Sequence, residues 1–383
     1  MAGVVIAGTG HAGFTLAREF RKLDRDTALT LVTRDDGASY YKPDLSKALA
    51  AGKDADSLVK ASREAAAAEL GAEIRAHTEI TALEPNSRRI VLDNGVLEYR
   101  DLVLATGAAP IHVPLAGGAA DSVFRVNSRL DYARFRAGLK AGNHVLIIGA
   151  GLIGCEFAND FGAHGFRISV VDVAAWPLPR LLPEPCGRAL QAALAGIGVS
   201  FHLGTSVATL DRDGARLRAV LANGETLTVD RVLSVVGLRP DLALAKSAGL
   251  AVRSGIVVDD FLRTSAPAIH ALGDCIEIAG RVLPFVLPIA HGARALAQTL
   301  AGRPSRAAFP AMPVLVKTPA CPVIVCPPAD AAGAWRVGGT APDLEAVFVD
   351  AAGRETGFAL TGAATARRAA LAARMPPVTG PFG

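Results

Sequence analysis

The sequence predicts an α/β fold built around two Rossmann-like units, and three observations carry that expectation. A glycine fingerprint, Gly8-Thr-Gly10-His11-Ala12-Gly13, follows the apolar run Val4 to Ala7. A second, Gly149-Ala-Gly151-Leu-Ile153-Gly154, follows Val145 to Ile148. The same plan of strand, glycine turn and helix thus recurs after 141 residues, a domain-sized interval.

Each element follows in order. After the first fingerprint, Phe14, Ala17, Phe20 and Leu23 recur at helical spacing, and Leu29 to Val32 supplies the second strand of a βαβ unit. The second fingerprint repeats this with a helix from Leu152 to about His164 and a strand from Ile168 to Val171. In such a turn one glycine makes the bend, one lets backbone approach a pyrophosphate, and one lets the helix pack on its strand. The helix N-terminus then offers free N–H groups to the phosphates. Two fingerprints therefore imply two dinucleotides, one a resident carrier and one a substrate.

The acid ending the second strand should accept hydrogen bonds from a ribose. Asp172 stands there, eighteen residues past Gly154, with no arginine close behind it to neutralise a 2′-phosphate, so this site favours NADH over NADPH. In the first unit Thr33 follows Val32 and the first acid is Asp35, a less direct ribose ligand.

Composition bounds the remaining choices. The 383 residues suit two or three domains, and 51% apolar residues are ample for large cores. No charged leader precedes the first strand and no apolar stretch reaches membrane-spanning length, so a cytoplasmic protein is expected. Five cysteines, Cys155, Cys186, Cys275, Cys321 and Cys326, form no disulfide framework and no metal-ligand spacing. Cys321 and Cys326 invite a redox-disulfide reading, opposed by an extended segment that turns residues five apart to opposite faces. A net charge of +4 and a pI near 8.9 suit an acidic protein partner. The arginines are dispersed and carry no nucleic-acid recognition motif.

Three further segments resemble two-dinucleotide flavoprotein reductases: Asp101-Leu-Val-Leu-Ala-Thr106-Gly107-Ala-Ala-Pro110, Asp230-Arg-Val-Leu-Ser-Val-Val-Gly237-Leu-Arg-Pro240, and Thr264-Ser-Ala-Pro-Ala-Ile-His-Ala-Leu-Gly273-Asp274. The resemblance implies an FAD domain over 1–112 and 241–307, interrupted by an NADH domain over 113–240. A small C-terminal α+β domain over 308–383 would complete the active site. It also implies that Asp274 binds the ribitol of FAD and that Gly8, Gly10, His11, Ala12, Gly13, Thr106, Gly107, Gly237 and Gly273 line the cofactors. Gly149, Gly151, Ile153, Gly154 and Asp172 would serve NADH.

Disulfide and peroxide reductases of this superfamily carry a reactive cysteine near residues 40 to 50. This chain has Tyr40-Tyr-Lys42-Pro43-Asp-Leu-Ser-Lys47 instead, so electrons should leave directly from the flavin. That stretch looks like the corresponding one in NADH-dependent reductases of small iron and iron-sulfur proteins, where Asp35 aligns with the ribose carboxylate. Lys42 and Asp44 depart from an arginine and a proline there, which touches the flavin contacts of Lys42 and Pro43. Leu152 to Asp160, Ala293 to Gly302 and Met312 to Pro322 resemble segments of rubredoxin reductases, nearly end to end. The implied reaction passes a hydride from NADH to flavin N5 and then single electrons to rubredoxin. The competing acceptor is a [2Fe-2S] ferredoxin, and the competing class is a flavin-based NADH sensor without a dedicated acceptor.

The family pattern pairs Glu156, two residues past Gly154 and expected in the first helical turn, with Lys47 across the site. A first-turn glutamate that merely suits the helix dipole is the plainer alternative. Pro288 to Leu300 reads as a helix aimed at flavin N1 and O2, with His291 in its first turn as either a ring contact or, more simply, a structural histidine. Lys317, in an apolar, proline-bounded stretch, reads equally as an outward strand residue or an ammonium over the flavin. Arg367-Arg368 lies in an alanine-rich run, 363–373, expected to be a solvated helix.

Overall fold

The computed structural model describes residues 2–328 and 332–378. The last five residues of the expected C-terminal domain therefore lie outside it.

The first stretch of chain forms β1 (Gly3–Ala7), α1 (His11–Arg21), β2 (Leu29–Val32), β3 (Glu73–Arg75), β4 (Ile80–Glu84), β5 (Arg89–Leu92), β6 (Gly95–Leu104) and β7 (Ala108–Pro110). Then come β8 (Val123–Phe124), α2 (Arg129–Arg136), β9 (His144–Ile148), α3 (Leu152–Gly162), β10 (Arg167–Asp172), α4 (Glu184–Ala195), β11 (Val199–Leu203), β12 (Arg231–Ser234) and β13 (Leu238–Pro240). The chain returns through β14 (Ile269–Ala271) and α5 (Val286–Leu300). It finishes in β15 (Val314–Val316), β16 (Val323–Cys326), β17 (Gly333–Thr340), β18 (Asp343–Asp350), β19 (Glu355–Thr361) and α6 (Arg368–Ala372).

Strands β3, β2, β1, β6 and β14 lie side by side and parallel, with β14 contributed from residues far along the chain. The other end of the long β6 turns antiparallel through β5 to β4. A second parallel sheet runs β8, β12, β9, β10, β11. Strands buried on both faces read as continuous apolar runs, and β9 is buried at all five positions. β7 and β13 pair antiparallel, Ala108 opposite Pro240, so the chain leaves and re-enters the first unit through one two-stranded hinge.

The C-terminal sheet is antiparallel, ordered β15, β16, β19, β18, β17. Cys321 and Cys326 are both free thiols and fall in different cores; the segment is not extended throughout, since Cys321 closes a turn onto the Thr318 carbonyl ahead of β16 and Cys326 ends that strand. The 363–373 run divides into a 3₁₀ turn, Gly362–Arg367, and the short α6.

One apolar core fills the first unit from Val4 to Ala307 and takes in Phe309 and Met312 from the chain just beyond it. A second joins all three parts: Leu45 and Leu58 from the first unit, Phe157, Phe161 and Cys186 from the second, and Val323, Leu344 and Ala359 from the C-terminal sheet. Phe135, Phe157, Phe161 and Phe166 meet within it in tilted and edge-to-face contacts, 4.9 to 6.3 Å between ring centroids. Each such aromatic contact adds roughly 0.5–1.5 kcal/mol beyond its burial. Leu23, expected on the first helix, lies past its end and is exposed, because α1 stops at Arg21 where the chain turns toward β2.

Candidate functional site

Both glycine turns are built alike. Gly8 and Gly149 have φ of +121° and +112°, a region that L side chains rarely enter. A Cβ on Gly13 would lie 2.0 Å from the Gly8 carbonyl oxygen, and one on Gly154 would lie 1.9 Å from that of Gly149, so only glycine lets each helix settle on its strand. Gly10 and Gly151 differ from these. Each cap residue has an ordinary φ, −69° and −74°, and a Cβ there would meet nothing within 4 Å. The protein itself gives no reason for glycine at these two positions; a pyrophosphate laid against each helix N-terminus does.

Around the first turn the site is walled. A Cβ on Gly273 would meet the Ala12 Cβ at 2.8 Å, so both must be small for the loop after β14 to reach α1. The His11 ring stands edge-on to Tyr41 at 5.1 Å, and burial with Arg18 and Lys60 nearby lowers its pKa. Lys42 and Asp274 face one another from two segments. Burial lowers the lysine, burial raises the aspartic acid, and each partly offsets the other through opposite charge. Asp35 Oδ1 accepts from the Asp36 amide, while the Asp35 carbonyl accepts from His77. Thr106 Oγ1 donates to the Asp241 carbonyl beside Gly107, whose φ is +70°, and Gly237 sits at +115° near the hinge. Pro43 lies in the first turn of a 3₁₀ segment, Lys42–Lys47.

Around the second turn Asp172 ends β10 with Oδ2 accepting from the Ala150 amide at 2.6 Å and Oδ1 from Ala174 at 2.8 Å. The carboxylate thus ties the glycine turn to the loop where a ribose would lie. Ile153 and Val173 are exposed, 39% and 76%.

The two units and the C-terminal sheet converge on Glu156, which is wholly buried. Lys317 Nζ lies 2.8 Å from Glu156 Oε2, and the Lys317 amide donates to Oε1 at 2.9 Å. Ser46 Oγ donates to Oε2 at 2.5 Å. The ammonium also donates to the Pro43 carbonyl at 2.7 Å and to Ser46 Oγ at 3.1 Å.

This corrects the expected pairing of Glu156 with Lys47. In a 3₁₀ segment residues three apart share a face. Pro43 and Ser46 turn inward together, whereas Asp44 and Lys47 turn outward and pair with each other at 3.1 Å, Lys47 half-exposed. Glu156 itself lies in the second turn of α3, not the first, because Gly151 is the cap. Likewise α5 begins at Val286, so Pro288 occupies its third position and His291 its second turn. A proline is tolerated there because the first N–H groups of a helix have no internal partner. Burial and Arg294 lower the His291 pKa. For Lys317 the strand ends at Val316, and the side chain turns inward onto Glu156.

Ser46, Asn159 and Asp160 escaped the sequence reading. Asn159 Oδ1 accepts from the Ala320 amide at 3.0 Å, and Asp160 accepts from Leu49 and Ala50 at 3.0 and 2.9 Å. The available signal was three polar residues, Glu156, Asn159 and Asp160, on a helix otherwise apolar enough to be buried from Gly154 through Phe161.

Two dinucleotide cradles on α/β units, joined at a buried ion pair, define a two-dinucleotide flavoprotein reductase. Residues 2–299 match the model for the pyridine nucleotide-disulphide oxidoreductase family, and residues 306–375 match that for the rubredoxin binding C-terminal domain. The rubredoxin-NAD(+) reductase of Alcanivorax borkumensis is 44% identical over 99% of this chain and 100% of its own. That of Acinetobacter baylyi is 40% identical over 98% of each chain. Among solved structures, the covalent putidaredoxin reductase–putidaredoxin complex is similar with a TM-score of 0.88 and 27% identity, over 97% of this chain and 93% of that one. The chain belongs to the pyridine nucleotide-disulphide oxidoreductase family, among the rubredoxin-NAD(+) reductases. It is an NADH-dependent flavoprotein oxidoreductase that uses FAD and NADH. Among the described residues no helix is long and apolar enough to cross a membrane.

Proposed function

We propose that this chain passes electrons from NADH to rubredoxin. The observation that carries the reading is Lys317: the segment matched to the rubredoxin binding domain reaches past its own sheet and supplies the ammonium that meets Glu156 at the junction of the two cradles. FAD, when bound, takes up two electrons as a hydride from NADH and releases them singly to a one-electron acceptor.

The residues divide the remaining work. The first cradle, with Lys42, Asp274, Asp35, Thr106, Gly107, Gly237 and Gly273 around it, holds FAD. The second, with Ile153 and Asp172, admits NADH and refuses a 2′-phosphate for want of a counter-charge. Glu156, Lys317 and Ser46 form a hydrogen-bonded floor where the three parts meet. The five cysteines are all free and buried, and burial raises each thiol pKa, so none supplies a thiolate relay. Free thiols also suit a cytoplasmic setting.

The test is anaerobic. The FAD-loaded protein is reduced with NADH and mixed with oxidised rubredoxin or a [2Fe-2S] ferredoxin, with both spectra followed. Fast bleaching of rubredoxin at low concentration is expected. Reduction of ferredoxin alone would overturn the partner, and inertness toward both would favour an NADH sensor.

A further inference from the structure

We infer that Asn159 and Asp160 are positioning residues for electron transfer, holding the Glu156–Lys317–Ser46 floor in register from one turn behind it. The inference rests on the reading that this floor serves NADH oxidation.

The geometry is that of a single helical face. Glu156, Asn159 and Asp160 stand at i, i+3 and i+4 on α3, where side chains line up one above the other. Each reaches a different piece of chain. Glu156 takes the Ser46 hydroxyl and the Lys317 amide and ammonium. Asn159 takes the Ala320 amide, three residues beyond Lys317. Asp160 takes the Leu49 and Ala50 amides, three and four residues beyond Ser46. The two segments that furnish Glu156 with partners are therefore each fastened a second time, just downstream, to the same helix.

Neither fastening is explained by stability alone. Asn159 and Asp160 are 5% and 3% exposed, and burial raises the Asp160 pKa against the help of its two amide donors. A buried carboxylate held by two N–H groups is a costly way to bind a loop that apolar contacts could also bind. What it adds is direction. Two N–H donors on two oxygens fix the rotation of the 48–50 turn, and with it whether Ser46 or Lys47 faces inward. A hydrogen-bonded amide at Ala320 similarly fixes the reach of Lys317 across the junction. Misplacing a reacting group by about 1 Å can cost on the order of a hundredfold in rate.

Asp160→Ala, Asp160→Asn, Asn159→Ala and Asn159→Asp are prepared as FAD-loaded proteins. NADH affinity and the limiting rate of flavin reduction are read separately, with amide hydrogen exchange of the peptide around Lys317. Asp160→Ala and Asn159→Ala are expected to lower the limiting rate about tenfold or more while NADH affinity stays within about twofold. Asn159→Asp, which keeps the acceptor, recovers most of that loss, and Asp160→Asn falls between. Faster exchange at the Lys317 amide in Asp160→Ala is the expected structural signature, since Asp160 touches that residue nowhere. If Asp160→Ala does not fold, the Asn159 pair decides. Limiting rates within about twofold of wild type in the folded alanine variants, or no rescue by Asn159→Asp, would overturn the inference. A wild-type protein inert to NADH would instead overturn the electron-transfer reading.

Discussion

The two glycine cradles share a backbone and differ in their walls. In each, the first glycine takes a φ near +115°, the third leaves no room for a methyl group, and the second faces open space. The first cradle is enclosed by Ala12 against Gly273, His11 against Tyr41, and the facing pair Lys42 and Asp274. The second is open, with Ile153 and Val173 bare at its rim. On the proposed reading, one motif would face a pyrophosphate in both places, and its surroundings would decide whether the dinucleotide stays or leaves. A resident carrier needs walls; a substrate that must depart on every turnover needs their absence.

The largest effects should come from the glycines, and they separate packing from recognition. Gly13→Ala and Gly154→Ala each drive a methyl into a backbone carbonyl. That costs at least about 3 kcal/mol, the upper end of overpacking, and should yield little folded protein. Gly10→Ala and Gly151→Ala place the methyl where no protein atom lies, so melting temperature should barely move. Gly10→Ala should emerge without FAD, whereas Gly151→Ala should remain yellow and raise the KM for NADH by about tenfold or more. Equal destabilisation by Gly151→Ala and Gly154→Ala would break the comparison.

Next in size is the junction between the cradles. Lys317→Met leaves a carboxylate buried with only Ser46 and one amide to hold it, and breaking such a pair typically costs about 3–5 kcal/mol. Turnover with NADH should fall about tenfold or more, since the inward ammonium is lost. Lys47→Met, on the outward face with Asp44, should change turnover by less than about twofold, because exposed pairs contribute roughly 0–1 kcal/mol. The reverse order would restore the pairing that the sequence pattern suggested.

That pairing shows where the sequence stopped being legible. Both βαβ units were readable because glycine spacing, apolar runs and a terminal acid are local and physically compelled. The strands β1, β2, β9 and β10 lie within a residue of the expected runs. The acid Asp172 stands beside its turn as expected. The choice between Lys47 and Lys317 was not local. It turns on a 3₁₀ segment that rotates Ser46 inward, and on a strand from a third part of the chain ending one residue before Lys317. Asn159 and Asp160 stand in the Leu152–Asp160 stretch that resembles the family, but their role was invisible for the same reason: their partners are amides, which no side-chain pattern announces.

Asp172→Arg probes the open cradle alone. The carboxylate that would meet the ribose also receives the Ala150 and Ala174 amides, so its loss loosens the turn as well as removing a ligand. NADH efficiency should drop about tenfold while NADPH efficiency rises or holds, shifting the preference toward NADPH. FAD content should not change, because the enclosed cradle is untouched. Unaltered preference would place the adenosine ribose elsewhere.

The smallest expected effect is a pH dependence that separates the first cradle from a buried histidine at the far end of β9. Burial lowers the pKa of His11 beside the first turn and of His144 on β9, both from 6.5. A depressed folded-state value means the unfolded chain takes up the proton more readily. The stabilisation is therefore complete above pH 6.5 and is lost as pH falls through the lowered values. His144, whose ring nitrogens lie 3.1 Å from the Thr228 carbonyl oxygen and 3.0 Å from Ser169 Oγ, should lose this contribution regardless of ligand. His11 opens the helix that would face the FAD pyrophosphate, whose negative charge favours a protonated imidazole, so bound FAD should oppose the depression. Melting temperature should fall by roughly 2–4 °C between pH 7 and 5 in the FAD-stripped protein and by less when FAD is bound. His144→Asn should shallow the fall equally in both forms, and His11→Asn only in the stripped one. Identical slopes with and without FAD would mean that His11 does not sense the cofactor, and that its edge-on contact with Tyr41 is its whole role.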